Sequence, residues 1–344
     1  MRAVVLHSAG DLRVEEHVPP ADDLNAVRVR IEAGGICGSD LHYFNHGGFG
    51  TIRVREPIVL GHEVAGTVLA TPEGTGLRVG DKVAVSPSRP CGACRYCREG
   101  FRNHCENMRF YGSAMPMPHI QGAFQDELLA LPEQCHRVEP SVPVEIAAFA
   151  EPLAVVLHAC SRAGELAGKR ILVTGCGPIG ALAVLAARNA GAAEIVVTDV
   201  IDAVLETALS LGADRIINVA GNPDWTEAFA VGKGYFDVMF EASGNEAALK
   251  AGMETLRPRG VLLQLGLGGD VTIPLNLVVS KELEVKGSFR FHEEFDQAVA
   301  ALNSGRIDVA PLLSARYAVQ DAVEAFRFAG DRTQSMKVQL DFMA

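Results

Sequence analysis

Aromatic residues are scarce in this 344-residue chain, which has one Trp and five Tyr. Few side chains are left on which bases could stack, and cations are outnumbered: 31 Lys and Arg stand against 42 Asp and Glu, a formal net charge of −11. Recognition of a phosphate backbone draws on basic patches, so nucleic acid is excluded as an expected partner. No apolar run of the roughly 18 residues needed to span a bilayer occurs. The opening MRAVVLHSAGDLRVEE has acids where an export signal would carry an apolar stretch and a small-residue cleavage site. These absences predict a cytoplasmic protein with no membrane partner. No internal repeat, low-complexity segment or long charge run is visible either.

With 48% hydrophobic residues, the chain can build more than one core, and its length exceeds what one core usually serves. The first 150 residues alternate short β-rich runs with Gly and Pro (AVVLH, AVRVRIEAG, PIVLGHEVAGTVLA, GDKVAVSP), the pattern of a small barrel-like unit. Further on the rhythm becomes apolar strand, Gly-rich turn, helix-period stretch, repeated through KRILVTGCGPIGALAVLAARNAGA and AEIVVTDVIDAVLETALSLGA. That alternation predicts βαβ units and a doubly wound parallel sheet. The fold class is therefore α/β: a β-rich domain over 1–150, a dinucleotide-type domain over 151–286, and a tail over 287–344. The tail is too short to fold alone, so it should pack back on one of the two.

Half of the eight cysteines fall in RPCGACRYCREGFRNHC, as Cys91, Cys94, Cys97 and Cys105, while Cys37, Cys135, Cys160 and Cys176 stand singly. Clustering implies a shared partner. The spacing C-x2-C-x2-C-x7-C offers the four thiolates of a closed tetrahedral zinc site, favoured in a reducing compartment over disulfides. An iron–sulfur cluster fits less well, because the last gap is long and Glu106 rather than Pro follows. A site closed by four sulfurs has no position for substrate, so this loop is expected to be structural.

The run Gly175-Cys176-Gly177-Pro178-Ile179-Gly180 lies between the apolar strand RILVT and a helical stretch, and a second strand, EIVVTD, ends in Asp199. Strand, glycines, helix and a following acid make the dinucleotide fingerprint: the pyrophosphate sits on the helix N-terminus and the acid takes the ribose hydroxyls. Cys176 reads as a small space-filling residue. The carboxylate of Asp199 would repel a 2′-phosphate, and no Arg or Lys occurs between it and Arg215. NAD is thus favoured over NADP.

A catalytic zinc needs three protein ligands and one open position. GGICGSDLHYF offers Cys37, VLGHEVAG offers His62 and Glu63, and AFAEPLAVVLHAC places Glu151 at the start of a helix. Singly, each also reads as a packing or capping residue. Taken in order, GGICGSDLHY, VLGHE, the four-cysteine loop, AEPLAV and GCGPIG resemble the zinc-dependent medium-chain dehydrogenase/reductase family, in its sorbitol dehydrogenase-like branch, over essentially the whole chain.

That resemblance implies a GroES-like catalytic domain, a Rossmann domain, a cleft between them and a C-terminal return to the catalytic domain. It also implies two zinc ions per chain, one of them in the cysteine loop. Cys37, His62 and Glu151 would hold the catalytic zinc, with Glu63 either a fourth ligand or reaching the metal through water. Ser39 would take the substrate proton and His42 would pass it outward. Leu265, Gly266 and Leu267, with Phe289 and Phe291, would border the nicotinamide, and a homotetramer would be the assembly, with a dimer as the fallback.

The substrate implied is a small-molecule secondary alcohol: a sugar acid, or alternatively a neutral polyol or butanediol. The stretches MRFYGSAMPMPH, FAEPLAV, GSFRF and RFAGDRTQSMKVQL resemble the sugar-acid dehydrogenases within that branch, and this resemblance implies the sugar acid first. Arg290 and Arg109 are the candidate anchors, since a guanidinium binds a carboxylate in bidentate fashion or donates to hydroxyls. Tyr43, Phe49 and Phe110 should line the pocket. His46 and His119, on Gly/Pro-rich loops, are expected at the surface. A non-catalytic nucleotide-binding scaffold would be expected to lose Ser39 or a ligand, and all are present.

Overall fold

The computed structural model describes residues 1–18, 21 and 23–344. The β-rich part is organised around the strand Val27–Gly35, whose residues alternate between buried and partly exposed before both faces become buried at its end. It pairs antiparallel with Glu63–Ala70 on one side and Lys337–Asp341 on the other, with Glu127–Ala130 also pairing along it. The chain's last strand thus completes its first large sheet, a seven-stranded one. Register fixes the chemistry: Gly35 lies opposite both Glu63 and Gln339, so the segment leaving this strand runs beside His62, Glu63 and Lys337.

The second sheet has six parallel strands. In chain order within the sheet they run Arg170–Thr174, Glu194–Asp199, Arg215–Asn218, Phe236–Glu241, Leu256–Gln264 and Glu284–Gly287, and the spatial order is 3-2-1-4-5-6. This is the Rossmann order, with its switch point between the first and fourth strands. RILVT and EIVVTD are buried almost throughout, as strands covered by helices on both faces must be.

The helix Ala150–Ala163 links the two parts. Leu153, Ala154, Val156 and Ala159 are fully buried, in a core that also takes in Ala33 and Ala65 of the first sheet and Val173 of the second. By length and composition the stretch Val144–Ala163 resembles a membrane span, yet more than half of it is buried inside the protein. The helix Glu294–Asn303 packs along it, tied by His158 Nδ1 to Glu294 Oε1 at 2.9 Å. Phe291, just before this second helix, is fully buried and packs on Phe295 with ring centroids 5.6 Å apart. Removing a ring of that burial costs about 3–5 kcal/mol.

Candidate active site

The helix Gly38–His46 starts directly after the central strand. Cys37 is its N-cap, Asp40 closes a capping box from the third helical position, and Gly47 ends it in the left-handed region. Asp40 is fully buried, and its Oδ2 accepts the Cys37 N–H at 3.0 Å. Its Oδ1 accepts the Gly61 N–H at 3.3 Å and lies 3.8 Å from His62 Nδ1. One carboxylate therefore holds both loops that carry candidate ligands, the way outer partners orient metal-bound histidines. Sequence reasoning missed Asp40, although the C-x-x-D capping spacing was there to be read.

Ligand atoms of Cys37, His62 and Glu63 lie within 4.8 Å of one another. Glu151 stands beside this group but outside that mutual distance, at the first turn of its helix. Burial pushes its carboxyl up to about 8; the nearby His62 opposes the shift and Glu63 adds to it. Burial likewise raises the Cys37 thiol to about 12, with the Glu63 charge adding to it. A metal cation would reverse both shifts, since it favours the deprotonated ligand. Lys337 was also missed: it is 3% exposed, forms a close ion pair with Glu63 Oε2 and donates to Ile36 O at 3.0 Å. Gly35 makes room for this arrangement, because a Cβ there would sit 2.2 Å from Glu63 Oε2.

The second cluster is Cys91, Cys94, Cys97 and Cys105, again within 4.8 Å. Cys91 Sγ lies 4.0 Å from Cys97 Sγ, and Cys94 Sγ lies 3.9 Å from Cys105 Sγ. These separations are far too long for disulfides but match the edge of a tetrahedron with about 2.3 Å zinc–sulfur bonds, roughly 3.8 Å. The Cys91 N–H points at Cys105 Sγ at 3.1 Å. Backbone N–H groups of Ala93 and Cys94 pull the Cys91 thiol down to about 6. Both donor sets fit zinc.

For the dinucleotide, Gly177 is the N-cap of the helix Pro178–Asn189, with no side chain capping it. A Cβ on Gly177 would meet nothing within 4 Å, which leaves the backbone open to an approaching phosphate. Ile179 and Pro178 are partly buried beside it, and Gly180 and Cys176 are buried. Asp199 sits next to the turn, its Oδ2 accepting the Cys176 N–H at 2.7 Å.

The remaining candidates separate into those near the metal cluster and those away from it. Ser39 lies against Cys37, and its side chain hydrogen-bonds the thiol. His42 is exposed, 5.8 Å from the Phe49 ring, with partial burial lowering its pKa. Phe110 packs on His62 at 5.6 Å, and the Arg290 guanidinium lies 4.0 Å over the Phe110 ring and 5.0 Å from Phe289. Arg290 adopts φ 54°, a left-handed conformation uncommon in a non-glycine residue. Burial lowers its pKa to about 10, countered by the charge of Glu151.

Three expectations, for Arg109, Phe291 and His119, differ from the structure. Arg109 is exposed, on the opposite side of a two-residue strand from buried Phe110, so alternation carries it away from Arg290. Phe291 is core, because the turn at Arg290 sends Phe289 outward at 42% exposure and Phe291 inward. Tyr43 is buried, its hydroxyl accepting the Ala114 N–H at 3.2 Å, and it lies 5.4 Å from the Phe49 ring and within electrostatic reach of Cys37, Asp40 and Arg290. His119 is buried, its Nε2 accepting the Arg55 N–H at 2.9 Å and Nδ1 lying 2.8 Å from Pro116 O; His46 is exposed as expected. Leu265 is partly buried, Gly266 hydrogen-bonds Glu241 O, and Leu267 is largely exposed at the strand ends.

Residues 23–140 match the alcohol dehydrogenase GroES-like domain and residues 178–304 the zinc-binding dehydrogenase domain. The chain belongs to the zinc-dependent medium-chain dehydrogenase/reductase family, enzymes that use zinc and a nicotinamide cofactor. Among its relatives, L-idonate 5-dehydrogenase (NAD(P)(+)) of Escherichia coli strain K12 is 46% identical over 92% of this chain and 92% of its own. The crystal structure of L-idonate 5-dehydrogenase from E. coli superposes with a TM-score of 0.96 at 44% identity, covering 99% of this chain and 98% of that one. Sorbitol dehydrogenase of Gallus gallus is 36% identical over 98% of this chain and 95% of its own.

Proposed function

We propose that the protein oxidises a secondary alcohol of a sugar acid, with L-idonate the first substrate to test and 5-keto-D-gluconate its product. NAD is the cofactor expected from Asp199. The observation that carries the reading is Arg290, a cation drawn into partial burial beside Glu151 and stacked on Phe110, which itself packs on His62. It has no ion-pair partner among the described residues, and the hydrogen bond it makes is a weak one from Nη2 to Met115 Sδ at 3.5 Å, so a ligand carboxylate or hydroxyls can take its donors. In a neutral polyol the same donors would serve hydroxyls alone, the second reading, which sorbitol dehydrogenase relatives keep open.

Cys37, His62 and Glu151 would hold the cleft metal, with Glu63 a fourth ligand or reaching it through water, and the four-cysteine loop would hold a second, structural ion. A zinc ion held by these residues would supply Lewis acidity toward the substrate oxygen near neutral pH, and a bound nicotinamide would supply the hydride acceptor. The chain's own part is positioning and proton transfer. Ser39, beside Cys37, receives the alcohol proton, and exposed His42, on the same helix, returns it to solvent. Phe110 and Phe49 wall the pocket, and Phe289 with Leu265, Gly266 and Leu267 faces the cofactor ring. Residues 1–150 form the catalytic unit, 151–286 the cofactor unit and 287–344 the return, in a cytoplasmic homotetramer.

The test is NADH formation from L-idonate, sorbitol, xylitol and 2,3-butanediol at equal concentrations on zinc-loaded protein. Preference for L-idonate that is lost in Arg290→Ala supports the sugar-acid assignment. A preference for a neutral polyol, unchanged in that variant, refutes it.

A further inference from the structure

Asp199, the acid at the end of the second parallel strand, is already fully engaged. Its Oδ1 accepts the N–H groups of Val200 at 2.7 Å and Ile201 at 3.2 Å. Its Oδ2 accepts the Cys176 N–H at 2.7 Å and Arg332 Nη2 at 2.8 Å. An ionised carboxylate offers about four acceptor positions, so all are filled within the protein, and the side chain is only 3% exposed. Three of the donors are fixed backbone groups, and the fourth can leave.

Arg332 comes from the turn between the helix Ala322–Gly330 and the last strand, 133 residues away in sequence. Its side chain is 47% exposed, and Asp199 is its one partner among the described residues. Swinging the guanidinium away would leave the carboxylate with three backbone donors, so the move orphans no buried charge. Asp202, the nearest following acid, is held by Asn218 Nδ2 at 2.6 Å. Asp199 alone would repel a 2′-phosphate, whereas the pair is neutral and carries a planar fork suited to phosphate oxygens.

We infer that Arg332 is the cofactor-selecting residue of this site: its guanidinium receives the 2′-phosphate of NADP, and when it swings away the one acceptor position it vacates on Asp199 takes a ribose hydroxyl of NAD. The site thus takes both dinucleotides, which the sequence around Asp199 does not suggest because the cation comes from the other end of the chain. This inference rests on the reading of the glycine turn as a dinucleotide site.

The experiment is fluorescence titration of NADPH and NADH on zinc-loaded full-length wild type, Arg332→Ala, Arg332→Gln and Arg332→Glu, with 2′-AMP and 5′-AMP as competing probes. Loss of one charge-assisted contact predicts that the Kd ratio of NADPH to NADH rises about tenfold or more in Ala and Gln, and further in Glu. The 2′-AMP probe should weaken in step, and higher salt should shrink the wild-type preference for 2′-AMP over 5′-AMP. A ratio that moves less than about threefold, or equal weakening of both dinucleotides as a mere interdomain latch would give, overturns the inference. So does a wild type that binds NADH but not NADPH. Failure of wild type to bind either dinucleotide refutes instead the underlying dinucleotide site, and the inference falls with it.

Discussion

Replacing Lys337 by Met tests how the cleft stores its charge. Met keeps most of the side-chain volume, so the change removes a charge rather than opening a cavity. Lys337 and Glu63 are 3% and 1% exposed, and the pair sits against the Cys37 thiol, which burial keeps neutral without a metal. Water cannot reach Glu63 to solvate it once its cation is gone. Breaking a buried pair by removing one member costs about 3–5 kcal/mol, mostly because the survivor stays charged and unpaired. Lys337→Met should therefore lose about that much in urea unfolding of metal-free protein, where no cation replaces the lysine beside Glu63. Glu63→Gln on the same background should recover more than half, since an amide carries no charge to strand. A loss below about 1 kcal/mol for the single variant, or a double variant no more stable than Lys337→Met, would refute this account.

Three further outcomes follow from the same geometry. Cys97→Ser should lower bound zinc from about two ions per chain to about one by elemental analysis and should lower the melting temperature, because the loop has lost one corner of its tetrahedron. Gly35→Ala should drive Glu63 out of the cluster, since the new Cβ would fall 2.2 Å from Oε2; metal content of the cleft, measured by cobalt substitution and its visible absorption, should drop while the cysteine-loop ion stays. Glu294 has its carboxyl held down to about 2: burial raises it, but the hydrogen bond from His158 and backbone N–H groups outweigh that. A depressed folded pKa contributes stability that is present above about 4.5 and lost as pH falls toward about 2. Glu294→Gln should flatten that acid limb by at most about 3 kcal/mol, less after solvent screening, in unfolding midpoints followed from pH 6 to pH 3.

What could be read in the sequence is what the chain does locally. The glycine turn, the cysteine spacing and the buried strands RILVT and EIVVTD are each set within a few residues, and the structure places each where that pattern requires. Cys37 came from one stretch and His62 with Glu63 from another, yet Gly35 pairing with Glu63 makes them neighbours, so one register carries all three. Phe291 and Arg109 went astray for want of a local detail: a left-handed residue at Arg290 and a two-residue strand at Arg109 decide which side chain turns inward, and neither leaves a hydrophobic period to read.

The residues that escaped sequence reading have their partners elsewhere in the chain. Alternation in KVQLD marks Lys337 as no more than another strand cation, and its burial follows only from the last strand pairing beside Gly35. Arg332 reads as a solvated turn residue until the same return brings it to Asp199. The tail after residue 330 therefore does more than close a sheet: it delivers Lys337 to Glu63, among the candidate ligands, and Arg332 to Asp199. Lys337 supplies the countercharge of buried Glu63, and Arg332 adds a fourth donor to Asp199, which keeps three backbone N–H groups without it. A truncation before Arg332 would strip both sites of their counter-charge at once, so the C-terminal return couples folding of the β-rich sheet to assembly of the whole cleft.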